Sequence, residues 1–135
     1  MKVYGLDGRE YIFSKKTKAD NNKSQWHIKA VALVKEMFPN QNILEEVELP
    51  GTKDKGLLRN LYADIFVPGL MILIEVHGEQ HYSYCPFFHR DERDFWKQKK
   101  KDNHKKEWCE LNNIIYVELP YNESGSWKTR IIDSI

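Results

Sequence analysis

The chain has 135 residues, 41% of them apolar and 30% charged, with a formal net charge of +1. That composition fits a single soluble globular domain, 1–135, with room for one core and not for two. No apolar run reaches the roughly 18 residues that span a bilayer, and the opening MKVYGLDGREY has no signal-peptide core, so no membrane association is expected and the expected location is the cytoplasm.

In chain order, residues 2–13 read as two short strands around Asp7-Gly8, a strong hairpin turn pair. SKKTKADNNK (14–23) is polar and basic with no apolar period, and is expected to be a loop. Ser24 is a helix N-cap candidate, followed by a stripe of Trp26, Ala30, Leu33, Val34 and Met37 that stops before Pro39. ILEEVEL (43–49) is a strand ended by Pro50-Gly51. After a charged loop comes a strand over 60–67, and Pro68-Gly69 turns the chain into another over 70–77. If Val67 pairs with Leu70, Asp64 faces Leu73, and Glu75 is its diagonal neighbour on the same face. Residues 78–90 are aromatic, histidine-rich and irregular. A long polar helix then runs from about 92 to 111, IIYVEL (114–119) is expected to be a fourth central strand, and Trp127–Ile135 is a short closing helix. The helix before the last strand permits a parallel crossover. The fold expected is therefore α/β: an αβββαβ core with a mixed four-stranded sheet flanked by helices, behind an N-terminal hairpin.

Acidic and imidazole side chains on otherwise apolar strands are costly to bury unless a metal or a paired network compensates them. LYADIFVP (61–68) and LMILIEVHGEQHY (70–82) carry Asp64, Glu75, His77 and His81 in such positions. Two carboxylates converging there repel each other unless a cation lies between them, and an oxygen-rich site suits Mg²⁺ or Mn²⁺, with Asp64 and Glu75 as ligands. His81 is a candidate general base, which Asp91 or Asp94 at the start of the long helix could orient. On the first helix, His27 borders the apolar stripe and is the better candidate than Glu36 to reach the site. Glu46 or Glu48 could add a carboxylate.

A second metal grouping is visible. His77, His81, Cys85 and His89 recur every four residues, with Cys109 or His104 as further members, and Cys and His are zinc ligands. Gly78 and Pro86 interrupt the helix that would align them, so structural Zn²⁺ is the weaker metal reading, and Cys85 and Cys109 are expected to be free thiols. Lysines are distributed unevenly. Lys15 and Lys16 precede the first helix, Lys97, Lys99, Lys100, Lys101, Lys105 and Lys106 lie on the long helix, and Glu45, Glu46 and Glu48 fall between. Basic patches around an acidic centre suit an enzyme that holds a polyanion near divalent cations.

YADIFVP, Glu75-Val76-His77, HGEQHY and the later FWKQKKKDNHKKEWCELNNIIYVELP together resemble the PD-(D/E)XK nuclease superfamily. The resemblance is to the branch of very-short-patch repair and phage homing endonucleases, over about residues 24–119. It implies a restriction-endonuclease-like core and metal-dependent hydrolysis of DNA phosphodiester bonds in the host-cell interior, either as a nickase or with double-strand cutting by sequential nicks, a homodimer or a larger recognition complex. Asp64 would bind the metal with Glu75 as second ligand, His81 would activate water or contact the phosphate, and Asp91 or Asp94 would be the downstream acid. The chain departs from the pattern at His77, where a lysine or aspartate is usual, and at Ser24-Gln25-Trp26-His27, where S-x-x-E is common. Those departures keep open a binding module without hydrolysis, and phosphodiester chemistry alone does not exclude RNA as the substrate.

Overall fold

The computed structural model describes residues 1–18, 23–53 and 59–135. The middle of the charged loop after Gly51, and part of the basic segment before Ser24, lie outside them. Elements run β1 (Lys2–Tyr4), β2 (Glu10–Ile12), α1 (Gln25–Met37), β3 (Leu44–Glu48), β4 (Tyr62–Val67), β5 (Ile72–His77), α2 (Glu92–Leu111), β6 (Ile115–Pro120) and α3 (Trp127–Ser134). The fold is mixed α/β. A four-stranded sheet in the order β3-β4-β5-β6 has its first three strands antiparallel and β6 parallel to β5. The parallel step is the crossover through α2, and it leaves β6 as an edge strand rather than a central one.

Alternation along the strands divides the core into two layers. Ile65, Val67, Ile72, Ile74, Val117 and Leu119 pack against Ala30 and Val34 of α1 and Trp127 and Ile131 of α3. On the opposite face, Val47, Phe66 and Leu73 meet Trp108 and Cys109 of α2 with Val3 and Phe13 of the hairpin. A buried tryptophan anchors each layer by a hydrogen bond to a proline carbonyl. Trp108 Nε1 donates to Pro50 O at 2.8 Å, and Trp127 Nε1 donates to Pro120 O at 2.7 Å. The hairpin docks where its backbone meets Gly51, with Leu6 N–H donating to Gly51 O at 2.8 Å. A side chain on Gly51, which lies at φ 77, would collide with the Gly5 backbone.

Two expectations need correcting. Val67 pairs with Ile72, not Leu70, because Pro68–Leu70 forms a 3-10 turn that ends on Met71 at φ 54. The two extra residues in that connection move β5 along by two positions, so the register brings Asp64 opposite Glu75 instead of diagonal to it. The basic segment is also not wholly a loop. Thr17 bridges Val47, Lys18 N–H donates to Glu46 O at 2.8 Å, and Glu48 N–H donates to Lys16 O at 2.9 Å, so this segment covers the outer edge of β3.

Candidate active site

The β4–β5 ladder stops at Ile65↔Ile74, and side chains take over one step further along. Val76 N–H donates to Asp64 Oδ2 at 2.8 Å, and Asp64 N–H donates to Glu75 Oε2 at 3.3 Å. The two acids are thus fixed by backbone amides at the point where the strands cease to pair. They open onto a cleft of about 340 Å³ whose wall also includes His27 of α1, Glu46 of β3, His81 after β5, and Gln98 and Lys105 of α2.

Glu75 is 2% exposed, and its Oε1 lies 2.5 Å from Lys105 Nζ. Burial, and then the Asp64 charge, push the Glu75 carboxyl up to about 8 against the opposing pull of Lys105. Burial works to lower Lys105, but the Glu75 and Asp64 charges outweigh it and raise its pKa. Lys105 is therefore a cation of the site. The sequence grouped it with the lysines expected to meet a polyanion, but it turns inward to meet Glu75.

His81 stands over the same cleft with its Nδ1 2.9 Å from Asp102 Oδ2. Asp102 is 4% exposed and receives a second, long hydrogen bond from Gln98 Nε2 at 3.4 Å. Burial tends to raise the Asp102 pKa, but the hydrogen bond from His81 and the nearby His77 charge leave it lowered. With Asp102 accepting the Nδ1 proton, the His81 tautomer presents Nε2 as a base. Asp91 and Asp94 do not have this role. Asp91 caps α2 by accepting Asp94 N–H at 3.1 Å, and Asp94 accepts Arg90 N–H at 3.0 Å, so both are spent on the helix start.

His77 lies behind His81 and does not line the cleft. The two imidazoles stack at 4.1 Å with an 8° interplanar angle, and His77 Nδ1 is 3.2 Å from Glu118 Oε1. The hydrogen bond from His77, and that from Tyr82 at 2.7 Å, hold Glu118 down to about 2 despite its partial burial.

Ser24 caps α1 as the sequence suggested, its Oγ accepting His27 N–H at 3.1 Å, and this fixes His27 one turn into the helix above Asp64. His27 is 5% exposed, with Nε2 3.1 Å from Glu45 Oε1 and Nδ1 3.8 Å from Glu46 Oε1 and 3.9 Å from Asp64 Oδ1.

Among the described residues, metal-ligand atoms gather within 4.8 Å of one another in two trios, His27–Glu46–Asp64 and His77–His81–Asp102. The second is a poor seat, because a metal lies in the plane of each imidazole that binds it and the His77 and His81 planes are nearly parallel. The proposed zinc set does not assemble. Cys85 N–H donates to His89 Nδ1 at 3.0 Å within a local turn, while Cys109 is buried under the sheet with its thiol pushed up to about 12 by burial. Cys85 and Cys109 are both free thiols. The hard oxygen donors of Asp64 fit Mg²⁺ or Mn²⁺, whereas both Glu75 oxygens are already engaged by Lys105 and the Asp64 amide.

Of the basic residues, Lys15, Lys16, Lys97, Lys100 and Lys106 are exposed, and Lys101 is half-buried. Lys99 lies over the rings of Tyr82 at 5.4 Å and Phe95 at 5.9 Å. The loop after β5 exposes Phe87 (88%) and Phe88 (56%), and Trp96 at the start of α2 is 65% exposed.

No family model matches the chain, and no solved structure matches it. It is 36% identical over 72 residues to the uncharacterized protein 307L of Invertebrate iridescent virus 6, a match covering 53% of this chain and 36% of that protein. It is 36% identical over 62 residues to the uncharacterized protein 033L of Invertebrate iridescent virus 3, covering 46% of this chain and 32% of that one. Over 78 residues it is 33% identical to the uncharacterized protein 094L of Frog virus 3 (isolate Goorha), covering 57% of this chain and 50% of the relative. The chain spans between about a third and a half of the length of these relatives, and its similarity is to viral proteins with no stated activity.

Proposed function

We propose that this protein is a divalent-metal-dependent DNA endonuclease with a restriction-endonuclease-like, PD-(D/E)XK type of core. The observation that carries the reading is the convergence of Asp64, Glu75, Lys105 and His81 on one cleft from β4, β5, α2 and the segment after β5. Asp64 is the residue that would hold Mg²⁺ or Mn²⁺, with Glu75 beside it. Such an ion, when bound, supplies positive charge to a phosphodiester and makes water easier to deprotonate.

The remaining roles belong to the chain itself. Lys105, kept charged by Glu75 and Asp64, holds a cation against a phosphate oxygen and fills the place that His77 leaves without a lysine. His81 takes the proton of an attacking water on Nε2, and Asp102 keeps its ring oriented through Nδ1. Exposed lysines on α2 and aromatic side chains of the 78–90 loop suit a nucleic acid lying across the cleft.

The test is to incubate nicked, mismatched and intact DNA duplexes, and single-stranded RNA, with Mg²⁺ or Mn²⁺. The expected result is metal-dependent DNA cleavage that Asp64→Ala and His81→Ala both abolish. Tight DNA binding without cleavage of any substrate would favour a module that kept the fold and lost hydrolysis. Cleavage of RNA alone would make it an RNA-directed nuclease. Cleavage that survives Asp64→Ala would sink the site.

A further inference from the structure

We infer that the divalent cation sits on the α1 side of Asp64, in a mixed nitrogen–oxygen seat made by His27 Nδ1, Glu46 Oε1 and Asp64 Oδ1, and not between Asp64 and Glu75. The inference rests on the reading of Asp64 as the ion-binding acid, and deepens it by naming the other ligands and the class of metal.

Three observations carry it. First, His27 Nδ1 lies 3.8 Å from Glu46 Oε1 and 3.9 Å from Asp64 Oδ1. These separations are too long for hydrogen bonds. They fall between the roughly 3.0 and 4.2 Å that separate cis and trans ligands each about 2.1 Å from a shared ion.

Second, the other nitrogen of the ring is already committed. Nε2 stands 3.1 Å from Glu45 Oε1, and the same oxygen is 2.6 Å from Lys23 Nζ. A carboxylate that takes one ring N–H fixes the tautomer and turns the lone pair of the other nitrogen toward the metal, which is the usual outer-sphere arrangement of a metal-binding histidine. His27 is only 5% exposed, so the ring has little freedom to turn away.

Third, Glu46 is held in the left-handed region at φ 52, between the paired positions Glu45↔Ile65 and Val47↔Ala63. Non-glycine residues in that region are uncommon and gather at functional sites. The competing seat is weaker. Glu75 Oε1 is 2.5 Å from Lys105 Nζ and Oε2 accepts the Asp64 amide, so Glu75 would have to give up both partners to bind an ion.

An imidazole in the donor set shifts preference from Mg²⁺ toward Mn²⁺ and the later first-row ions. The test is Mn²⁺ binding to the metal-stripped protein without nucleic acid, by titration calorimetry and pulsed electron paramagnetic resonance. The wild type should bind Mn²⁺ with a directly bound nitrogen visible in the spectrum, and more tightly than Mg²⁺. His27→Gln should remove that nitrogen signal. Glu46→Gln should weaken binding about 10-fold or more, as should Glu45→Gln, which touches no ion but releases the ring. Glu75→Gln should leave Mn²⁺ affinity within about 3-fold. Circular dichroism of each variant separates loss of ligand from loss of fold.

A Mn²⁺ spectrum with no nitrogen coupling, no Mn²⁺ binding at all, or binding abolished by Glu75→Gln and unmoved by Glu46→Gln would overturn the seat. None of these would touch the endonuclease reading if DNA is still cleaved. Conversely, Mn²⁺ held through His27 by a protein that cleaves no nucleic acid would sustain the seat and remove the enzyme.

Discussion

Glu75 and Lys105 are a carboxyl and an ammonium group 2.5 Å apart, with Glu75 2% exposed and Asp64 adjoining. Burial and the Asp64 charge raise Glu75 to about 8 from its ordinary 4.5, so the folded chain binds this proton more tightly than the unfolded chain does. Stability from that difference is complete below the unfolded value and is lost as pH rises through about 8. Lys105 is also raised, from 10.5, so its contribution stays level until still higher pH. Glu118, lowered from 4.5 to about 2, is the opposite case, with its contribution complete above 4.5 and lost as pH falls toward 2. In metal-free buffer, urea denaturation should therefore show stability falling between about pH 5 and about pH 8, by on the order of a few kcal/mol. Glu75→Gln should flatten that slope, and an unchanged slope in the variant would assign the effect elsewhere. Lys105→Met should extend the decline to higher pH, because the buried carboxylate then loses the cation beside it and its pKa rises further.

At the scale of elements, α2 departs furthest from its sequence. Its hydrophobic pattern is weak, and it reads as a long polar helix carrying a basic patch. Yet Gln98, Asp102, Lys105 and Cys109 recur at three-and-four spacing and form the stripe that faces the sheet. Gln98 and Lys105 line the cleft and Asp102 meets His81, so most of the stripe is polar and carries no apolar period. Asp102 and Lys105 could have been singled out only by knowing that their partners, His81 and Glu75, lie on the strand-side wall opposite. The sheet strands themselves and the cap at Ser24 were legible because alternation and capping are local signals, whereas the edge position of β6 was not. The β4–β5 register was not, because it depends on Met71 adopting a left-handed conformation that no residue type there announces. Two outcomes follow for α2. Trp108→Ala removes the fully buried side chain that docks its last turns, and should cost about 3–5 kcal/mol in chemical denaturation. Asp102→Asn keeps the packing but loses the anionic partner of His81. On the endonuclease reading it should cut DNA cleavage by about 10²-fold or more while Mn²⁺ affinity holds, and the ¹⁵N shifts of His81 should report a changed tautomer. Lost cleavage with unaltered His81 shifts would mean that Asp102 acts in some other way.

For the molecule as a whole, a net charge of +1 conceals a division of labour. Carboxylates gather in the cleft, whereas Lys97 is exposed on α2, and Phe87 and Trp96 are 88% and 65% exposed. On the endonuclease reading these two kinds of surface act on DNA by different physics, and salt separates them. A lysine that meets a phosphate releases a counterion, so Lys97→Gln should lower the slope of log affinity against log salt by about 1, with little dependence on DNA sequence. An aromatic ring that stacks on a base releases no ion. Phe87→Ser should therefore weaken binding by about 1–3 kcal/mol at every salt concentration and leave the slope unchanged. Measured by fluorescence anisotropy with catalytically blocked Asp64→Ala protein, parallel lines for Phe87→Ser and a shallower line for Lys97→Gln would place DNA across α2 and the 78–90 loop. If both variants bind as the parent does, the nucleic acid takes another path across the protein, and the exposed rings serve some other contact.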